Sequence, residues 1–528
     1  MRFSGRFANI PQYYCSLKRV CLPAFALVLV SSFATLAASP TTDAGDEIKK
    51  LIKKAVKLRR SGSLDEAEKA LIEAVSIDNK RSEAKIELAY ILTKQRRTLE
   101  AYNLVFPIAL AERQNSRAFA VLGMSLLTAG RFKDARMILY QALTLNKKED
   151  LAWAGYGLLE FYENHINDSL ANLQTAVSYD PQEPDYLFAL GQVSARSENY
   201  KQAAEAYDQF LSLSGGADPD RRARIRGLVN FLRFLGDTGS LYVTTGKDST
   251  SVPFDLVGNR PIIKLRVNRK TEPLRFVLDT GSGISVISNE TARRLKIKSI
   301  TKGGFAKGIG GDGKFEIVYG LLKDVGIGDV NLTNVPVYIR EFHPNGPPVD
   351  GYIGLSLISK FLTTIDYGNQ TFSLTKKDAD TREFRENTEL SLPLRLTSSG
   401  FLSGEVQLQG IETSLNFIVD TGASVSVISD QVARAEGISP FANRERLSVI
   451  GSAGVTDDVP TFQLPLVTFG QHSRKDITAV ALDLGIINEA SGFEQSGILG
   501  GNFLKNYRLT FDFKNSKVTF VSVKPEKE

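Results

Sequence analysis

The stretch Phe276-Val277-Leu278-Asp279-Thr280-Gly281-Ser282-Gly283 returns 141 residues later as Phe417-Ile418-Val419-Asp420-Thr421-Gly422-Ala423-Ser424, and each copy then runs through one apolar residue into Ser-Val-Ile-Ser. At the same offset Gly308-Ile309-Gly310 answers to Val449-Ile450-Gly451. Gly351-Tyr352-Ile353-Gly354 answers to Gly497-Ile498-Leu499-Gly500 at an offset of 146, with Asp366 and Asp512 each twelve residues past the last glycine. The five extra residues of the second copy belong in a loop between its second and third motifs. From Gly236 onward, short runs rich in Val, Ile, Thr and Phe alternate with Gly, Asn and Asp, the texture of β-strands and turns. One Asp-Thr-Gly is an ordinary turn, since Asp and Gly both favour turns. Three motifs repeated in order mark two copies of one β lobe.

In these motifs the chain resembles the aspartic proteases over about residues 250–524, and the retropepsin-like kind more than the pepsin kind, because both lobes carry a short Gly-rich segment. The resemblance implies catalytic Asp279 and Asp420. Two carboxylates about 3 Å apart cannot both ionise, so they share one proton and supply a base for water and an acid for the leaving amine without a cofactor. It also implies that Thr280 and Thr421 hydrogen-bond across the lobes, and that Gly281 and Gly422 let the loops turn sharply. Ser282 of the first copy is expected to donate to the acid; Ala423 in the second cannot, which predicts a less acidic optimum than pepsin's. Gly308, Ile309, Gly310, Ile450 and Gly451 are the expected flap residues contacting substrate. Pairing of the lobes within one chain is favoured over pairing between chains by effective concentration. The alternatives are turn-capping Asp residues, plain hairpins in place of flaps, and a peptide-binding scaffold of protease fold that does not cut.

Upstream, small residues recur at a 34-residue period: Ala55, Ala89, Gly123, Gly157, Gly191; then Ala67, Ala101, Ala135, Ser169, Ala203 twelve positions later. A third series is Ala74, Ile108, Ala142, Ala176, Phe210. Five units in phase resemble the tetratricopeptide repeat, a stack of helix pairs that bury one another's apolar faces. In that family the concave groove usually takes a peptide or a protein partner; a spacer role is the alternative. Arg221 to Leu235 reads as a capping helix whose arginines form a solvated face.

The fold class is therefore α then β: a tetratricopeptide-type solenoid followed by a two-lobed all-β acid-protease fold. The divisions are 1–38 signal peptide or anchor, 48–217 five repeats, 218–236 capping helix, 237–250 linker, 251–375 first lobe, 376–389 inter-lobe linker and 390–524 second lobe. A chain beginning near Thr238 is expected to fold alone. Arg2, Arg6, Lys18 and Arg19 precede an apolar run from Val20 to about Ala38 that ends in small residues, the order of a secretory signal. An uncleaved membrane anchor is the alternative, the run being near spanning length. Those four bases account for most of the formal charge of +6, leaving too little to expect nucleic-acid binding. The only cysteines, Cys15 and Cys21, lie in the same segment, so a processed chain has neither disulfides nor a thiol nucleophile. With only His165, His343 and His472, and no paired-His spacing, no metal site is expected. Export without cysteine points to a bacterial periplasmic or secreted protein acting on a peptide or protein.

Overall fold

The computed structural model describes residues 42–523 apart from 217, 271, 312, 345, 347 and 378–390. The expected signal segment 1–38 and most of the expected linker 376–389 lie outside the described residues. Residues before Ile48 form a unit apart, described only at the start of the first helix, while Ile48 onward forms a second unit. Among the described residues no helix is long and apolar enough to cross a membrane.

Ten helices make five antiparallel pairs: α1 (Thr42–Ser61) with α2 (Leu64–Ile77), α3 (Ser82–Lys94) with α4 (Thr98–Ala111), and α5 (Ser116–Thr128) with α6 (Phe132–Leu145). They continue as α7 (Asp150–Tyr162) with α8 (Ile166–Tyr179) and α9 (Pro184–Arg196) with α10 (Tyr200–Leu213). The period is explained by close approach within each pair: a Cβ on Gly123 would lie 2.7 Å from Leu139, and one on Gly157 2.5 Å from Leu173. Ser169, in the same series as the small alanines, donates its hydroxyl to the Gly157 carbonyl at 2.6 Å. The array curls until its ends meet. Arg59 at the end of α1 pairs with Glu183, between α8 and α9, at 2.8 Å with both side chains buried. A helix α11 (Pro219–Thr238) covers the last pair.

The β half is two lobes related by an approximate twofold. In the first, Leu274–Leu278 runs parallel to Gly351–Ile353; in the second, Leu415–Val419 runs parallel to Gly497–Leu499. The strands that follow, Phe361–Asp366 and Tyr507–Asp512, are antiparallel neighbours with Leu362 opposite Asp512 and Asp366 opposite Arg508. The equivalent residues Thr364 and Thr510 share a hydrogen bond at 3.1 Å across that axis. This pairing joins the lobes within one chain: a 14-stranded sheet runs from the last strands of lobe 2 through lobe 1, and an 8-stranded sheet completes lobe 2. Asp366 accepts the Gly368 and Asn369 N–H groups, and Asp512 that of Asn515, so these two acids shape turns.

Three expectations require correction. The region 237–250 is not a linker: Leu241 and Tyr242 are buried, and Val243–Gly246 pairs with the strand Val330–Arg340. Its apolar residues find partners on the first lobe. Three of the five arginines of α11 are not on a solvated face either, whereas Arg226 and Arg233 are exposed as expected. Arg221 lies 4.7 Å over the Phe188 ring, Arg222 donates to the Leu211 and Ser214 carbonyls, and Arg224 donates to the Phe305 carbonyl. The repeats, finally, are not an appendage. Phe231 stacks on Tyr319 at 4.4 Å, Phe132 meets Phe493 edge-on at 4.9 Å, and Arg196 donates to the Thr397 carbonyl at 2.7 Å. Phe231 and Leu235 belong to the same apolar core as both lobes.

Candidate active site

Each Asp-Thr-Gly loop leaves a buried strand and turns at once against the third motif of its own lobe. The Asp279 N–H donates to the Ile353 carbonyl at 2.9 Å, and the Asp420 N–H to that of Leu499 at 3.0 Å. Ser285 and Ser426 accept the N–H groups of Gly354 and Gly500, both at 3.1 Å, tying that motif to the segment beyond each acid. The apolar-apolar-Gly strand thus fixes where each carboxylate stands.

Thr280 and Thr421, both fully buried, lock the two loops together. The Thr280 hydroxyl donates to the Val419 carbonyl at 2.6 Å and accepts the Thr421 N–H at 3.0 Å; the Thr421 hydroxyl donates to the Leu278 carbonyl at 2.7 Å and accepts the Thr280 N–H at 3.2 Å. The glycines are required by the opposite acid as well as by the turn. A Cβ on Gly281 would lie 2.4 Å from the Asp420 carboxyl carbon, and one on Gly422 2.7 Å from Asp279 Oδ1. The Gly281 N–H donates to Asp279 at 3.0 Å and the Gly422 N–H to Asp420 at 2.7 Å.

Asp279 and Asp420 hydrogen-bond to each other. Burial and then the neighbouring Asp420 hold Asp279 well above the ordinary carboxylate range, against a smaller opposing pull from Arg340. Asp420 is raised by burial, offset by the hydrogen bond from Asp279 and by the Gly422, Ala423 and Gly281 N–H groups. The pair therefore keeps one proton where isolated acids would lose both, and that proton belongs to the coupled pair. The expectation for Ser282 fails. Its only hydroxyl proton goes to the Ile284 carbonyl at 2.8 Å, and at Ala423 it is the backbone N–H that favours the charged acid. The side chains at these two positions do not set the difference between the acids.

Two hairpins close over the pair: strands Ser299–Lys307 and Lys314–Ile327 from lobe 1, and Ala442–Ile450 and Val455–Phe469 from lobe 2. Their tips meet. The Ala453 N–H donates to the Ile309 carbonyl at 2.8 Å and the Gly311 N–H to the Val455 carbonyl at 3.0 Å. Glycine is needed at this contact, since a Cβ on Gly310 would lie 2.1 Å from the Gly454 carbonyl and one on Gly451 2.2 Å from that of Ile309. Gly308 and Ile309 line the cavity beneath; Ile450, 43% exposed, also borders it. Gly311, Ala453 and Gly454 lie just past the repeated triplets, in the same Gly-rich segments read from the sequence, Lys307 to Gly311 and Val449 to Gly454. Outside those segments the motif comparison missed Arg340, which donates from Nη1 to the Ser452 carbonyl at 2.7 Å, and Tyr352, whose hydroxyl is pushed up by burial and by Asp279.

The cleft beneath is open to solvent on part of its surface and has a volume of about 2210 Å³; its walls include side chains of the repeats, among them Phe188, Gln192 and Tyr207, as well as both acids. Elsewhere Glu160, Glu163 and His165 come together, but Arg136 forms ion pairs with both glutamates.

The aspartyl protease family matches residues 263–357 and 404–503, and the tetratricopeptide repeat family matches 156–221. Among solved structures, the aspartic proteinase of Irpex lacteus is 14% identical, covering 52% of this chain and 97% of its own, with a TM-score of 0.35. A thermophilic tetratricopeptide protein of Thermus thermophilus is 18% identical over 34% of this chain and 98% of its own, with a TM-score of 0.30. The two family matches fall on the two lobes and on the last helix pairs just described, and so the chain is a tetratricopeptide-repeat array joined to an aspartyl-protease domain built from two paired segments.

Proposed function

We propose that the protein is a retropepsin-like endopeptidase whose substrate reaches the acids along the inner side of the repeats. The observation that carries this is the facing Asp279–Asp420 pair, both acids held above the ordinary carboxylate range, locked by Thr280 and Thr421 beneath two meeting flaps. In the reaction, the charged Asp420 takes a proton from a water held between the carboxylates as its oxygen attacks the peptide carbonyl carbon. Asp279 gives its proton to the carbonyl oxygen, forming a tetrahedral diol. Collapse returns a hydroxyl proton to Asp279, Asp420 passes its proton to the nitrogen, and the C–N bond breaks to a free acid and amine. The flaps must part to admit a peptide and can reclose on it by exchanging tip-to-tip hydrogen bonds for bonds to its backbone.

The test is a digest of a proteome-derived peptide library by the full chain beside Asp279→Asn and Asp420→Asn. Cleavage by the parent, lost in each variant and not restored on mixing them, supports the reading. Absence of cleavage by the parent at every pH from about 3 to 8 favours the non-cutting scaffold. The order of basic, apolar and small residues in 1–38 supports an exported protein, periplasmic or secreted in a bacterium, or one anchored by that segment. Fractionation with N-terminal sequencing of the mature chain separates these.

A further inference from the structure

The approximate twofold allows every residue of one cleft wall to be matched with its counterpart on the other, and the two walls differ in kind. Strand register gives the matches. Val286 and Ser288 lie opposite Tyr352 and Arg340, while their counterparts Val427 and Ser429 lie opposite Ile498 and Leu482. Phe276 pairs with Ile263 and Phe417 with Gly404, which makes Arg260 the counterpart of Phe401. Lobe 1 therefore presents Arg260, Arg340 and Tyr352 where lobe 2 presents Phe401, Leu482 and Ile498, and all six line the cavity over the acids.

The lobe 2 wall is a continuous apolar surface: Leu482 and Ile498 belong to one buried cluster, with Phe401 and the tip residue Ile309 of the opposite flap packed on it. The lobe 1 wall is cationic and only partly satisfied: Arg340 spends one Nη1 N–H on the Ser452 carbonyl. Among the described residues neither Arg260 nor Arg340 forms an ion pair, and the Nε atom of each is buried without a hydrogen-bond partner. Arg340 stacks 5.1 Å from the Phe315 ring and 5.5 Å from that of Phe342, which fixes the guanidinium plane. Tyr352 feels the charge of both arginines and of Asp279, so the three groups stand together beside the first acid. Glu341 borders the same cavity and pairs with neither arginine. A buried guanidinium edge without a partner is costly, and the group that best relieves it is a carboxylate, which can accept two parallel N–H donors.

From this we propose that the cleft selects peptides carrying an Asp or Glu side chain for the lobe 1 wall and an apolar side chain for the lobe 2 wall. The assignment rests on the peptide-binding reading of the site, but its test does not require turnover. Fluorescein-labelled decapeptides with a central Leu-Phe pair, scanned with Glu, Gln or Lys at each remaining position, are titrated against the full-length Asp279→Asn chain by anisotropy. At one position Glu should bind roughly tenfold tighter than Gln, the size of one charge-assisted hydrogen bond, with Lys weaker still. Arg260→Gln should reduce that difference severalfold, and so should raising the salt to about 0.5 M, a measurement that needs no variant. Equal binding of Glu and Gln at every position overturns the proposal, as does a preference that survives both salt and Arg260→Gln. Digestion of the same peptides by the parent chain reads the protease assignment separately: an acidic binding preference without any cleavage removes that assignment and leaves the wall standing.

Discussion

Phe493, in the loop before the third motif of lobe 2, is wholly buried and belongs to the protease half, yet its aromatic neighbours are in the repeats: Phe132 at 4.9 Å and 83°, and Tyr162 at 5.0 Å. Truncating it to alanine removes a full aromatic ring from a closed interface, a change that costs about 3–5 kcal/mol in buried sites. Of this, roughly 0.5–1.5 kcal/mol is the edge-on pairing with Phe132, which a double-mutant cycle with Phe132→Ala isolates. The chain supplies its own reporter, because its single tryptophan, Trp153, lies in α7 of the repeats. If repeats and lobes unfold as one unit, Phe493→Ala lowers the urea midpoint seen by Trp153 fluorescence, and that midpoint still coincides with the one from far-ultraviolet circular dichroism. A Trp153 midpoint that stays put while dichroism shows a separate earlier step refutes the reasoning. The two halves would then be independent, and a chain starting near Thr238 would be expected to fold after all.

Thr280→Val keeps the shape but strands the Val419 carbonyl and the Thr421 N–H without their partner, at about 1–3 kcal/mol each. Denaturation should show that loss, and peptide cleavage should fall by orders of magnitude as the acids lose register. Ser282→Ala should leave the basic limb of the pH–rate profile in place, because the hydroxyl serves Ile284; Arg340→Gln should move that limb upward, because a cation favouring charged Asp279 is gone. A shift with Ser282→Ala, or none with Arg340→Gln, contradicts the electrostatics described. Asp279 and Asp420 have raised folded-state pKa values, so their protonated-state stability is complete below about pH 4, the unfolded value, and is lost as pH rises through the folded values. Asp279→Asn should therefore melt higher than the parent at pH 7, with the gain shrinking toward pH 4. Thermal scans showing a pH-independent difference would sink this account.

The one-dimensional pattern was sufficient wherever function depends on local backbone geometry at a fixed spacing. The 34-residue rhythm of small residues required helices in close contact, and the twice-repeated Asp-Thr-Gly, Gly-rich triplet and apolar-apolar-Gly required two like lobes with one acid each. Those signals survive in sequence because a Cβ at Gly157, Gly281 or Gly422 would collide with something whatever the rest of the chain does. What the pattern could not carry was the identity of partners distant in sequence. Ser282 has the right atoms to serve Asp279, but only the folded loop brings the Ile284 carbonyl closer to that hydroxyl. The arginines of α11 have the composition of a solvated face, and only packing lays Arg221, Arg222 and Arg224 on rings and carbonyls. Arg260 and Arg340 are ordinary bases 80 positions apart until the sheet places both beside Tyr352 and Asp279, opposite apolar counterparts. Spacing along the chain determines which backbone shapes are allowed; which charges share a cavity is decided by the closing of the lobes on each other and on the repeats, because burial and charge act through space.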